Sequence, residues 1–246
     1  MLVEKAVSLV EEASKRGITL RILGAIAIRL HSPNYSYFQD KMGRILSDID
    51  LIGFSKHYSQ ILKFLESLGY EIDKRILFKQ ANRIVADHLK DRVHVDIFCD
   101  KLEMCHTIDL RDRLNIDNPT IPVTDLFLEK LQIVKIAEKD LIDLAILIAE
   151  HPLGNDDEDK INIKFITNIV RKDWGYYYTT VINLGKLKEY VKTLHVLQPD
   201  QREEIIGKID NLVDAIEKTP KSMKWKMRAK IGPAIKWYKE VEDLYR

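Results

Sequence analysis

Ser47-Asp48-Ile49-Asp50-Leu51 sets two carboxylates one apolar residue apart inside a short apolar run. On a strand, residues i and i+2 share a face, so Asp48 and Asp50 project together while Ile49 and Leu51 face the core. Like charges held that close repel, and a divalent cation between them relieves the repulsion. Hard oxygen donors suit magnesium, which keeps waters and substrate phosphates in its shell. The pentapeptide therefore points to metal-assisted chemistry on a phosphate.

Its neighbours supply the context. Upstream, Ile18 to Leu23 alternates as a strand does, and Leu23-Gly24-Ala25 turns it into a helical pattern from Ala25 to His31. Val3, Ala6, Val7, Val10 and Ala13 recur at helical spacing before the stop at Gly17. Ser32 to Gly43 holds Pro33, Asn34 and three aromatics without periodicity, which predicts a loop able to approach the aspartate pair. Downstream, Tyr58 to Leu68 reads as a helix ended by Gly69, and Ile76–Phe78, Arg83–His88 and Arg92–Phe98 read as strands. Asp96 falls on the polar side of the last of these, as a third carboxylate beside Asp48 and Asp50. Taken alone, it could equally pair with Arg92 or His94.

Pro119 and Pro122 mark a boundary, after which the pattern is helical. Thr124-Asp125 can cap one long helix from Leu126 to about Ala149. The acidic stretch 154–159 predicts a loop, and helices are expected over about 160–171, 174–193, 200–218 and 223–245. The last carries Lys221, Lys224, Lys226, Arg228, Lys230, Lys236 and Lys239 around Trp225 and Trp237, a solvated face or an RNA-contacting one. Trp174 and Tyr176-Tyr177-Tyr178 read as packing groups, and His31 as a structural histidine.

With 246 residues, 46% of them apolar, the chain can bury a sizeable core, and a net charge of +1 gives no global argument for nucleic acid. No apolar run is long enough to span a bilayer, so a cytoplasmic protein without membrane association is expected. Cys99 and Cys105 are too few for a disulfide framework and read as reduced thiols.

Leu23-Gly24-Ala25, Ser47-Asp48-Ile49-Asp50-Leu51 and Val95-Asp96-Ile97 together resemble the three-part signature of the DNA polymerase beta-like nucleotidyltransferase superfamily. That signature is a Gly-Ser or Gly-Gly turn, an Asp-x-Asp pair and a third acidic residue on a later strand. Lys130 and the stretch Glu138-Lys139-Asp140-Leu141-Ile142-Asp143-Leu144 are similar to the later lysine and Asp-x-x-Asp motifs of abortive-infection-type nucleotidyltransferases. Some members of that group are toxins of toxin-antitoxin pairs. The resemblance implies an α/β (α+β) fold. A nucleotidyltransferase core of mixed sheet with flanking helices would occupy residues 1–118, and a helical domain over 119–246 would help to close the nucleotide cleft.

It also implies a reaction. Asp48, Asp50 and Asp96 would hold Mg2+ in a two-metal site, and a nucleoside monophosphate would pass from an NTP to an acceptor hydroxyl with release of pyrophosphate. The acceptor could be an RNA 3′ end such as that of tRNA, a protein side chain, or a small molecule such as an aminoglycoside. Gly24 and the amide of Ala25 would approach the β- and γ-phosphates. Ser47 would add a hydroxyl donor, and Arg44 and Lys130 would neutralise phosphate charge, with Asp140 or Asp143 orienting Lys130. Two features depart from the pattern: position 25 is Ala rather than Ser or Gly, and the gap from Gly24 to Asp48 is long. A cognate antitoxin is a further implied partner. The competing reading is a non-catalytic nucleotide-binding or toxin-antitoxin interaction module on the same fold.

Overall fold

Alternation of apolar and polar residues over Leu20–Leu23, Asp48–Gly53, Arg83–His88 and Val93–Cys99 builds the sheet that carries the aspartates. The computed structural model describes residues 2–79 and 82–241. In chain order the elements are α1 (Leu2–Lys15), β1 (Leu20–Leu23), α2 (Gly24–His31), α3 (Tyr37–Lys41), β2 (Asp48–Gly53) and α4 (Tyr58–Ser67). They continue as β3 (Glu71–Ile72), α5 (Lys74–Lys79), β4 (Arg83–His88), β5 (Val93–Cys99), β6 (Lys101–Glu103) and β7 (Thr107–Asp109). The remainder is α6 (Val123–Leu131), α7 (Glu138–Glu150), β8 (Leu153–Gly154), β9 (Ile161–Asn162), α8 (Ile163–Val170), α9 (Trp174–Thr193), α10 (Pro199–Lys218) and α11 (Met223–Ile231). The fold is thus mixed α and β, as the sequence led one to expect. Two compact units divide it. The first comprises Met1–Leu30, Ile45–Leu102 and Thr107–Pro122, and the second His31–Arg44, Glu103–His106 and Val123–Arg246.

The first unit is built on a five-stranded sheet of order β1-β2-β5-β4-β3. β2 and β5 are parallel, and the other pairings are antiparallel. Ile49, Leu51, Val95 and Ile97 alternate onto one face and are fully buried, which fixes the register because a slip of one residue would exchange the two faces. α1 buries Ala6, Leu9, Val10 and Ala13 and packs on β1 and β2. Gly17 ends the helix with φ +73, a conformation that costs glycine little. The proline-marked segment is stitched to the outer edge of β1: the Ile22 amide donates to the Pro119 carbonyl at 2.8 Å, and the Ile121 amide to the Ile22 carbonyl at 3.0 Å.

The second unit is helical. α7, α9 and α10 pack on one another, and α6, α8 and α11 each pack against α9. α9 and α10 bury Leu184, Leu187, Val191, Ile205, Ile209 and Leu212. The segment expected as a loop, 32–43, contains α3 and is anchored by the amides of Asn34 and Tyr35, each donating to a Glu150 carboxylate oxygen at 3.0 Å.

Three expectations need correction. The strand read at Ile76–Phe78 is helix α5, because Asp73 accepts the Arg75 amide at 2.8 Å and so starts a helical turn. The single long helix read from Leu126 to Ala149 is two, α6 and α7. The break is filled by groups distant in the chain: Asn183 Nδ2 donates to the carbonyls of Leu131 at 2.9 Å and Ile133 at 2.8 Å, while Gln132 Oε1 accepts the His106 amide at 2.9 Å. α7 then starts afresh where Asp140 accepts the Ala137 amide at 3.2 Å. The last helix ends at Ile231, where Gly232 takes φ +62 ahead of Pro233; residues 242–245 of that expectation lie outside the described residues. No helix among the described residues is long and apolar enough to cross a membrane.

Candidate functional site

Sheet register brings the three signature carboxylates together. Asp50 stands directly opposite Asp96 in the parallel β2–β5 pair, and Asp48 lies two residues earlier on the same face, opposite His94. Asp48 is exposed, Asp50 intermediate and Asp96 buried, so the set runs from solvent into the sheet. At an effective dielectric near 20, two carboxylates about 5 Å apart repel by about 3 kcal/mol. The arrangement therefore calls for positive charge.

Gly24 supplies the space next to them. β1 runs antiparallel to β2 with Leu23 opposite Asp50, so the turn into α2 falls beside that carboxylate. A Cβ at position 24 would lie 2.5 Å from Asp50 Oδ2, and the backbone there holds φ +68. Both facts require glycine. Ala25 follows in the first turn of α2, where backbone amides have no partner within the helix. Ser47 is committed locally, its hydroxyl donating to Asp48 Oδ1 at 2.9 Å.

Sequence reasoning missed Arg83. Its guanidinium takes Asp96 in a forked ion pair, Nε donating to Oδ1 at 2.8 Å and to Oδ2 at 3.1 Å, with Nη2 also on Oδ2. The guanidinium also lies 5.1 Å from the Phe98 ring centroid. Of the partners weighed for Asp96, neither Arg92 nor His94 takes this position; His94 Nδ1 lies 2.8 Å from Asp87 instead. The signal was available only through register. Val85 faces Asp96 and Arg83 faces Phe98, so an arginine two residues from the position opposite Asp96 reaches it diagonally.

Arg44 and Lys130 lie in the second unit, where they share a partner. Lys130 Nζ is 3.5 Å from Asp143 Oδ2, 4.0 Å from Asp140 and 3.2 Å from Glu129, and Arg44 Nη2 is 3.4 Å from the same Asp143 oxygen. Gln39 Nε2 donates to the other Asp143 oxygen at 3.5 Å. Asp143 is wholly inaccessible and Glu129, Lys130 and Asp140 are buried, so three carboxylates and Lys130 are enclosed together, with the partly exposed Arg44 at their edge. Asp140 also starts α7, as described above.

The aromatic residues pack. Trp174 stacks on Tyr178, Tyr177 and Trp225 meet edge to face, and Arg228 sits 4.6 Å from the Trp174 ring centroid. Tyr176 is buried, stacks on His106 and donates its hydroxyl to the Leu128 carbonyl at 3.1 Å. Cys99 and Cys105 are free thiols, and burial pushes that of Cys99 up to about 12. It is not a nucleophile at neutral pH.

No protein-family model matches the chain, and no curated protein does. Among solved structures it is similar to the antibiotic-resistance factor ANT(2'')-Ia, reported in solution with substrate-regulated conformation dynamics, at 13% identity and a TM-score of 0.42. The match covers 68% of this chain and 94% of that one. At that score the likeness establishes neither family nor activity.

Proposed function

We propose that the chain is a magnesium-dependent nucleotidyltransferase that moves a nucleoside monophosphate from an NTP to an acceptor hydroxyl and releases pyrophosphate. The observation that carries the reading is the opposition of Asp50 and Asp96 on parallel strands, with Asp48 on the same face and a side-chain-free Gly24 against Asp50. All three donors are hard carboxylate oxygens, which fits magnesium. Magnesium bound by Asp48, Asp50 and Asp96 would stabilise the attacking and leaving oxygens of an in-line displacement at the α-phosphorus.

The chain's own groups complete the reading. Amides at the start of α2, reached across Gly24, would donate to the triphosphate. Asp96 would hold the acceptor hydroxyl for attack, its proton passing toward that carboxylate. The ion pair to Arg83 must open for Asp96 to take up this role, and the freed guanidinium would then face phosphate. Arg44, which is partly exposed, remains a candidate phosphate-neutralising group of the second unit, and Lys130 would have to leave its buried carboxylates to join it.

Arg83 also supports a second reading. A carboxylate already neutralised by a forked arginine needs no metal, as in a module that binds a nucleotide or a cognate antitoxin without transferring anything. Incubation with α-labelled NTPs, magnesium and separate pools of RNA, protein and aminoglycosides decides between them. Label in one pool, lost in Asp48→Asn/Asp50→Asn, is the expected result and names the acceptor. If magnesium with NTP raises the melting temperature and no pool is labelled, the module reading replaces the enzyme.

A further inference from the structure

The second unit holds a convergence of ligand-type atoms of its own. His31 closes α2, His151 follows the last residue of α7 in an extended conformation, and Asp159 ends the acidic loop after β8. Parallel pairing of Leu153 with Ile161 and Gly154 with Asn162 pins the base of that loop. Within it Asp156 accepts the Glu158 amide at 3.0 Å and Lys160 Nζ at 2.9 Å. Asp159 itself sits at φ +55, an uncommon backbone for a residue with a Cβ. The loop is thereby shaped to bring Asp159 over the two imidazoles.

The distances suit an ion. One donor atom from each of the three residues lies within 4.8 Å of the others. Asp159 Oδ1 is 3.2 Å from His151 Nδ1 and 3.9 Å from His31 Nδ1. A tetrahedral zinc with bonds of about 2.0–2.1 Å separates its ligands by about 3.4 Å, between those two values. The rings meet edge to face with centroids 6.0 Å apart. His151 is wholly buried, and its Nε2 has no hydrogen-bond partner among the described residues. Its polar contacts, to the carboxylate and to the Asp159 carbonyl at 3.2 Å, are both at Nδ1. The cluster therefore converges on the Nδ1 side of the buried ring, where a ligand atom of each residue is within reach of the others.

We propose that His31, His151 and Asp159 bind one zinc-class divalent cation, which clips the acidic loop 154–159 to the ends of α2 and α7. Two imidazole nitrogens and one carboxylate select zinc over magnesium, whereas the all-oxygen set at Asp48, Asp50 and Asp96 has the opposite preference. Three protein ligands leave the fourth position to water.

Cobalt(II) tests this, because it takes zinc sites and develops visible d–d bands when tetrahedral. The full chain carrying Asp48→Asn/Asp50→Asn, stripped with chelator, is titrated with cobalt and then zinc, so that the carboxylate face does not compete. One equivalent of cobalt should give tetrahedral bands that zinc abolishes, and zinc should raise the melting temperature. Because His151→Ala removes a buried ring and could unfold the chain, the deciding variants are Asp159→Asn and His31→Gln. Each should weaken cobalt binding at least about tenfold with an unchanged circular dichroism spectrum. Absence of the bands in the parent, or variants that bind as it does, would overturn the site and leave Asp159 as a hydrogen-bond acceptor for His151.

Discussion

The two charged clusters use the same side chains to opposite ends. On the sheet, Asp48, Asp50 and Asp96 grade from solvent to core, and the forked Arg83 takes the innermost. In the helical unit, Lys130 is buried among Glu129, Asp140 and Asp143, and the partly exposed Arg44 reaches the same Asp143 from the edge. The first cluster opens to solvent at Asp48 and closes inward at Asp96. The second is closed, so each member depends on the others. Accessibility, rather than the number of charges, separates a place for chemistry from a place for cohesion.

The sharpest way to break that comparison is Asp50→Ala. Transfer of label should fall by at least about 1000-fold, while relief of carboxylate repulsion leaves the urea midpoint unchanged or higher. A variant that unfolds would show that the open cluster also holds the fold. In the closed cluster, Asp143→Ala should cost about 3–5 kcal/mol in urea denaturation, since Lys130 and Arg44 lose their shared counter-ion in a buried setting. A loss under 1 kcal/mol, on the order of a surface pair, would mean that water reaches the cluster.

Acid probes the closed unit by another route. Burial lowers His106 to about 4, and its Nε2 lies 2.9 Å from Thr179 Oγ1. Below the ordinary value near 6.5 the unfolded chain binds a proton that the folded one refuses, so unfolding is favoured as pH falls. The contribution is complete above about 6.5 and is lost as pH falls to about 4, roughly 3 kcal/mol in all. Urea midpoints at neutral and acid pH measure it, and His106→Gln should flatten that part of the profile.

Arg83→Gln sharpens the comparison from the open side. Asp96 would lose its cation and stability should drop by about 1–3 kcal/mol without metal. Added magnesium should restore more in this variant than in the parent; equal responses would detach Asp96 from metal binding. The smallest change expected is Gly24→Ala, costing about 1–2 kcal/mol for the left-handed backbone alone. Its activity should fall further than its stability, because the added methyl displaces Asp50.

What the sequence disclosed follows the range of each interaction. The strand alternation of Ile49, Leu51, Val95 and Ile97 is local, and it was enough to set Asp48, Asp50 and Asp96 on one face. The turn chemistry of Gly24 was local too. The break between α6 and α7 was not legible, because Asn183 and His106 reach it from two distant parts of the chain. The apolar triplet of α5 fits a strand as well as a helix, and it is the Asp73–Arg75 contact just before it that starts the helical turn. Arg83 needed the register of β4 against β5, and the meeting of Arg44 with Lys130 on Asp143 needed the packed unit.

The register that unites Asp50 with Asp96 has one more consequence. Shifting β2 by one residue would drive Asp48 and Asp50 into the hydrocarbon interior and turn Ile49 and Leu51 out to water. Every such mispairing carries the penalty of burying charge beside Val95 and Ile97. The aspartates therefore act as a proofreading mark during assembly: a chain that mispairs here is penalised by the very charges that the correct register leaves on the polar face.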